Sequence, residues 1–372
     1  MPSTTSPTAN GDAALNSGTI IKPTNVNGTT TSSNKTNNTM QRPYPAFKDL
    51  PLTRPGPRGN AWSLWGPDDQ LGSLNHLTPS TVAHAARTQI LTGERVSLNW
   101  TLQGATFPRF QHPRKNLEIR AENKFKARGV HAFDDEWAFN TQCSSQWDGC
   151  RHYAYQEEGM YYMGRKAEEF EAGKEANGIQ HMSRKGIAGR GLLVDWWRWK
   201  QGKGEGDGVD AYSSYAIPWE ELIAAAESQG TPLGEMQAGD LLIVRSGYLA
   251  QYETMANERR EELDKLYQHT KPDNIGVGAC PEILEFLWEK KIAAVAGDAR
   301  SFERWPCPPE EKEWHLHQWL LAGWGMPIGE LWDLEALSEE CARQKRWTFF
   351  LTSAPMNVPG GVASPPNALA FF

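Results

Sequence analysis

Along most of the chain, apolar positions recur in two alternating patterns. In "LTPSTVAHAARTQILTGE" (77–94) an apolar stripe runs at helical spacing, with Thr78 placed to cap the start, Pro79 at the first helical position and Gly93 as terminator. "RVSLNW" (95–100) then reads as a strand. The stretches "GLLVDW" (191–196), "DLLIVRSG" (240–247), "IAAVAGD" (292–298) and "WTFFLTS" (347–353) are short apolar runs rich in β-formers, which suits strands buried on both faces. Between them, "PWEELIAAAESQG" (218–230), "ETMANERREELDKLYQH" (253–269) and "PEILEFLWEKK" (281–291) read as helices. The alternation predicts an α/β domain and leaves barrel and open sheet both possible.

The N-terminal stretch breaks this pattern. Residues 1–41 are Ser, Thr, Asn and Gly with few apolar positions, too little to offset the entropy of ordering, so a disordered tail is expected. "RPYPAFKDLPLTRPGPRGNAWSLWG" (42–66) reads as an extended arm, laid over the domain or over a neighbouring subunit through Trp62 and Trp65. No later linker or repeat divides residues 42–372, which are expected to form one domain.

Composition narrows the function classes. A chain of 372 residues with 16 Trp can bury a sizeable core. Its net charge of -7 provides no basic field for a phosphate backbone, which argues against a nucleic-acid partner. Small-molecule ligands are expected instead. The five scattered cysteines suit reduced thiols, and no apolar run is long enough to span a bilayer, so a cytoplasmic protein without membrane contact is expected.

Candidate chemistry concentrates in "FNTQCSSQWDGCRH" (139–152). Gln142, Gln146, Asp148 and His152 stand at offsets 0, 4, 6 and 10, which would place them on one side of an extended strand turning into a loop. Ser144 and Ser145 add hydroxyls, and Gly149 allows a tight turn after Asp148. The same residues also make an ordinary hydrogen-bonded corner, and spacing alone does not separate the two. A second cluster, "EWHLHQWLLAGWGMPIGELWDLEAL" (313–337), flanks an apolar helix with His315, His317 and Glu330.

Taken in order, "GRGLLVDW", "AGDLLIVRSGY", "IAAVAGDARSFE", "HQWLLAGWGMPIGELWDLEAL" and "SAPMNVPGGVASPPNALA" resemble the cyclase-like family that includes bacterial kynurenine formamidase and isatin hydrolase. The resemblance runs from about Trp62 to the C-terminus, and "NTQCSSQWDG" with "DDQLGSLNHLTP" is similar to a mainly fungal branch. The family signature HxGTHxDxPxH lies over "QCSSQWDGCRH" without a gap. Gln142 and Gln146 then fall on two metal-ligand histidines, Asp148 on the ligand aspartate and His152 on the acid/base histidine. His317 falls on the later ligand histidine, and Glu330 on the ligand glutamate with one extra residue between. The resemblance implies one compact domain with a central β-barrel-like, swivelling β/α core flanked by helices, assembled as a homodimer or homotetramer.

It also implies a hydrolase of a carbon–nitrogen or ester-type acyl bond in a small aromatic or cyclic molecule, arylformamidase-like as in tryptophan catabolism through kynurenine. Asp148 and His152 are the expected catalytic residues; Gln142, Ser144, Ser145, Gln146 and Trp147 the expected substrate contacts, with Tyr153, Tyr161 and Tyr162 as further aromatic candidates. A glutamine offers only a neutral amide oxygen where an imidazole binds zinc well. The set Gln142, Gln146, Asp148, His317 and Glu330 therefore suits one divalent manganese or magnesium ion better than zinc. Two other readings stay open: a metal-independent cyclase or lactone-opening enzyme with the glutamines and serines as oxyanion donors, and a catalytically silent binding or scaffold protein.

Overall fold

A nine-stranded mixed sheet organises the chain, and its strand order is far from the sequence order. Across the sheet run Arg95–Ser97, Ala368–Phe371, Thr348–Ser353, Ile187–Val194, Leu241–Val244, Ala294–Gly297, Ile328–Glu330, Gln146–Asp148 and Ala363–Ser364. The four central strands from Ile187–Val194 to Ile328–Glu330 are parallel to one another; the outer pairings are antiparallel. The sheet curls into a half-barrel flanked by helices, the β-barrel-like α/β core that was expected. The computed structural model describes residues 44–372, of which Pro45–Phe372 form one compact unit; the expected tail, 1–41, lies outside the described residues. All five cysteines are free, and no helix among the described residues is long and apolar enough to cross a membrane.

Local sequence explains the central elements. Leu241–Val244 and Ala294–Gly297 are buried at every position, as strands covered on both faces must be. At the cross-strand pair Gly191–Phe349, a Cβ on the glycine would stand 2.5 Å from the phenylalanine ring, so only glycine lets that ring lie flat on the sheet. Helix Pro79–Gln89 starts at Thr78, whose hydroxyl accepts the Thr81 amide. Helices Trp219–Ser228 and Pro281–Glu289 occupy their expected stretches.

Two expectations need correction. The helix read over 253–269 is two: Tyr248–Thr254 stops, Met255 and Ala256 are extended, and Asn257–Leu266 restarts. The break is held by Arg260, whose side chain donates to the Met255 carbonyl and, beside the Met255 amide, to the Tyr252 carbonyl. The apolar helix after His317 is a π-helix, Gln318–Trp324, closed by Gly325 at φ 62. The arm lies on this chain's own π-helix, one of its two expected places. Phe47 stacks on Trp319 with ring centroids 5.6 Å apart, Trp62 donates to the Ala322 carbonyl at 2.8 Å, and Trp324 donates back to the Gly59 carbonyl at 2.9 Å. Trp62 is thus part of the core, and Trp65 packs edge-on against His76.

His76 ends a short 3-10 helix, Gly72–His76, where burial, reinforced by Lys291, pushes its imidazole down to about 4. Below pH 6.5 the unfolded chain takes up a proton there that the folded chain refuses until about pH 4. Stability attached to His76 is therefore complete above pH 6.5 and is lost as pH falls toward 4, a loss on the order of 3 kcal/mol. Urea unfolding at pH 7 and pH 4.5 should show a smaller acid loss in His76→Gln than in the wild type; equal losses would show that His76 does not carry it.

Candidate functional site

The sheet register builds the floor of the site. Gln146 stands directly opposite Glu330 in the antiparallel pair, and Asp148, two residues on, faces the same way. The Gln146 amide accordingly donates to Glu330 Oε2 at 2.8 Å. Only Gln146–Asp148 is strand; Gln142 to Ser145 lie in a turn, so the even offsets do not come from one extended segment. A second turn, with the His152 amide on the Gly149 carbonyl at 2.9 Å, folds His152 back over Asp148. The two turns bring Gln142 and His152 together: Gln142 Nε2 lies 2.5 Å from Asp148 Oδ1 and 3.1 and 3.4 Å from the two ring nitrogens of His152. His152 Nε2 stands 3.7 Å from Asp148 Oδ2.

The π-helix and the strand after it complete the group. His317, immediately before the π-helix, sits between two carboxylates, with Nδ1 2.7 Å from Glu303 Oε1 and Nε2 3.1 Å from Glu330 Oε1. Glu303 is fixed in turn by the Leu316 and His317 amides. Burial alone would lower the His317 imidazole, but the two carboxylates override it and push it up to about 10. Burial, with the Asp148 carboxylate adding to it, pushes Glu330 up to about 7. His152 moves the other way: burial lowers it, and Asp148 only partly offsets this. A neighbouring group, Glu303, Cys307 and His315, shares Glu303; burial pushes the Cys307 thiol up to about 12, so it is not a thiolate at neutral pH.

Gln142, Gln146, Asp148, His152, His317 and Glu330 thus converge, as their motif positions suggested. Three residues expected to touch substrate do not face the site. The Ser144 hydroxyl donates to the Thr101 carbonyl at 2.9 Å; the Ser145 hydroxyl donates to the Leu331 carbonyl and accepts the Trp100 amide. Trp147 is fully buried, edge-on to Trp332 and bonded to Ser353 Oγ. These side chains are spent on holding the strand. Of the aromatic candidates, Tyr153 lines the cavity, stacked on His315 at 5.3 Å, whereas Tyr162 is fully buried. Sequence reasoning missed Glu303, Arg114 and Arg300, since nothing in their local pattern separates them from ordinary surface charges.

The donor set bears on a metal. Among the described buried side chains, Asp148 Oδ2 and Gln146 Oε1 have no hydrogen-bond partner, and ligand atoms of Asp148, His152 and His317 lie within 4.8 Å of one another. His317 also hands its Nδ1 to a carboxylate, as metal-bound histidines do. The residues fit a hard divalent cation held mainly by oxygen. Gln142 does not join that set, because its amide nitrogen, a donor, is the atom turned inward. Above this floor opens a cavity of about 310 Å³, walled by Tyr153, Trp305, Arg114 and Arg300.

The model of the "Putative cyclase" family matches residues 72–304. A solved structure described as a novel cyclase is 28% identical, with a TM-score of 0.69, covering 84% of this chain and 99% of its own. Isatin hydrolase A from Ralstonia solanacearum is 15% identical with a TM-score of 0.50, covering 78% of this chain and 95% of its own. An isatin hydrolase bound to the product analogue thioisatinate is 16% identical with a TM-score of 0.51, covering 77% and 94%. At these identities the isatin hydrolases speak to the fold alone. No curated protein sequence matches the chain.

Replacing Ser145 with alanine strands a buried backbone donor and acceptor at once. Ser145→Ala should lower the unfolding free energy by about 1–3 kcal/mol in urea titration, whereas an unchanged midpoint would show that the hydroxyl does not hold the strand.

Proposed function

The chain belongs to the cyclase family, and on that premise we propose that it is a hydrolase of a carbon–nitrogen or ester-type acyl bond in a small aromatic or cyclic molecule. The observation that carries this reading is the meeting of His152, which lines a cavity walled in part by Tyr153 and Trp305, with the unpartnered Oδ2 of the buried Asp148 behind it. An acid/base pair beside a space for one small ring is what acyl-transfer hydrolysis needs.

In the reaction so proposed, His152 is neutral at pH 7 because burial lowers it, and it takes the proton of the attacking water as the oxygen bonds to the acyl carbon. The same imidazolium then returns that proton to the departing nitrogen or oxygen as the acyl bond breaks. Asp148 orients the water through Oδ2 and, as a carboxylate, favours the transient imidazolium. Gln142 keeps Asp148 and His152 in register. Gln146, Asp148 and Glu330 are the side chains that would hold a divalent cation, manganese or magnesium by donor type, with His317 joining them only on giving up its Nε2 proton; the cation when bound supplies Lewis-acid polarisation of the scissile carbonyl. Tyr153 and Trp305 suit an aryl ring, so an N-formyl arylamine, as in kynurenine formation, or a lactam-like ring is the finer form of this reading.

One observation favours a second, metal-independent reading, a cyclase or lactone-opening step run by Asp148 and His152, though not with the glutamines and serines as oxyanion donors, since those groups are bonded to carboxylates and backbone carbonyls. Gln142 and Gln146 both direct amide nitrogens at carboxylates, and the His317 imidazolium already supplies positive charge beside Glu330.

A panel of aryl formamides, cyclic imides, lactams and aryl esters tests the proposal. The wild type should hydrolyse at least one class, and His152→Ala and Asp148→Asn should each lower kcat/KM by about 10²-fold or more while the thermal transition stays near the wild-type value. Turnover that survives in both variants, or none across the panel, would overturn it.

A further inference from the structure

The cavity is lined by positive charge that no described residue neutralises by contact. Arg300 is half-buried there, and among the described residues the one hydrogen bond of its side chain is from Nε to Gln111 Oε1 at 3.0 Å. Among the described residues the Arg114 guanidinium reaches the Gln142 carbonyl alone, at 3.5 Å. Among the described residues neither guanidinium has an ion-pair partner, although Glu330 lies near enough for both to act on it through space or be acted on by it. The contrast with other arginines of similar burial is sharp: Arg190 pairs with Asp240, Arg245 with Asp195 and Glu335, and Arg304 with Glu311. Lys271, exposed at the cavity rim, adds a third cation.

Two neutral groups point to the same occupant. Gln111 Nε2 and Ser301 Oγ both belong to cavity-lining residues, 1% and 6% exposed, and neither has a partner. A buried amide donor left open costs free energy unless something fills it. Two guanidiniums, an amide N–H and a hydroxyl on one wall make a donor set for an anion; guanidinium forks match a planar carboxylate best. The buried Asp148 and Glu330 carboxylates would repel such a group and so keep it off the floor. A cavity of about 310 Å³ leaves room for one ring besides it.

We infer that the molecule bound here carries a carboxylate, seated on Arg300 and Arg114 with Gln111 and Ser301 donating, so that its acyl group is turned toward His152. The polarity of the cavity sets the orientation: anion at the arginine wall, scissile bond at the carboxylate floor. This deepens the hydrolytic reading and rests on it only for what happens at the acyl end.

Benzoate and benzamide, nearly equal in shape and different in charge, test the inference by calorimetric titration of the full chain. The wild type should bind benzoate at least tenfold more tightly than benzamide, and the preference should shrink as salt is raised. Arg300→Gln should lower benzoate affinity at least tenfold and leave benzamide within about twofold; Arg300→Lys, which keeps the charge but not the fork, should recover part of the loss. If Arg300→Gln does not fold, Arg114→Gln and the rim variant Lys271→Gln carry the same expectation in smaller measure. Equal affinity for the two probes, or benzoate binding indifferent to all three charges in folded variants, would overturn the inference. Benzoate selectivity without turnover of any panel substrate would count against the hydrolase alone; turnover without benzoate selectivity would count against the carboxylate alone.

Discussion

Three carboxylates, Asp148, Glu303 and Glu330, are buried within one small site, and the architecture around them is the means by which that burial is tolerated. Removing a charged group from water costs several kcal/mol unless hydrogen bonds and opposite charge replace the lost solvation. Each acid has its own compensation. Asp148 takes the Gln142 amide, Glu330 takes the Gln146 amide and His317, and Glu303 takes two backbone amides and the other face of His317. His317 is the hub, since one imidazolium serves two of the three. The compensation is incomplete: Asp148 Oδ2 has no partner, nor has the amide Oε1 of Gln146 on the same strand, and both belong to the place where chemistry is proposed.

The fold is arranged to hold that hub still. His317 sits at the mouth of a π-helix, whose wider turn offers poorer internal hydrogen bonding than an α-helix. The arm makes up part of the deficit: Trp62 caps the Ala322 carbonyl, and the Ala61 amide caps that of Gly323. Gly59 is needed for the close approach, because a Cβ there would fall 2.1 Å from the Trp319 ring. What reads as a loose N-terminal arm is a clamp on the segment that carries a site histidine. On the far side, the antiparallel pairing of Gln146–Asp148 with Ile328–Glu330 fixes two more site residues by register, and a slip of one residue would turn both away.

The α/β class, the main central strands and two of the internal helices were legible from apolar pattern, because buried parallel strands and amphipathic helices leave the plainest traces. The break at Met255–Ala256 was not, since it depends on a side chain, Arg260, meeting carbonyls that no local pattern exposes. In the site, the motif spacing pointed to Gln142, Gln146, Asp148 and His152, but for an incomplete reason: two turns, not one strand, bring them together. Ser144, Ser145 and Trp147 shared the motif and were read with it, yet their side chains face carbonyls and the core. Spacing identifies a neighbourhood, whereas the direction of each side chain follows from long-range partners. Glu303 and Arg300 illustrate the converse. They lie about 150 residues downstream, and only the sheet order carries them to the same cavity.

Two buried oxygens without a partner, Asp148 Oδ2 and the amide Oε1 of Gln146, form a seat that fits a hard cation. Manganese titration of the untagged full chain, followed by electron paramagnetic resonance, reads this directly. One manganese ion should be taken up per chain, and Asp148→Asn should abolish the uptake while the fold persists. No uptake at millimolar manganese, or uptake unchanged in Asp148→Asn, would contradict it.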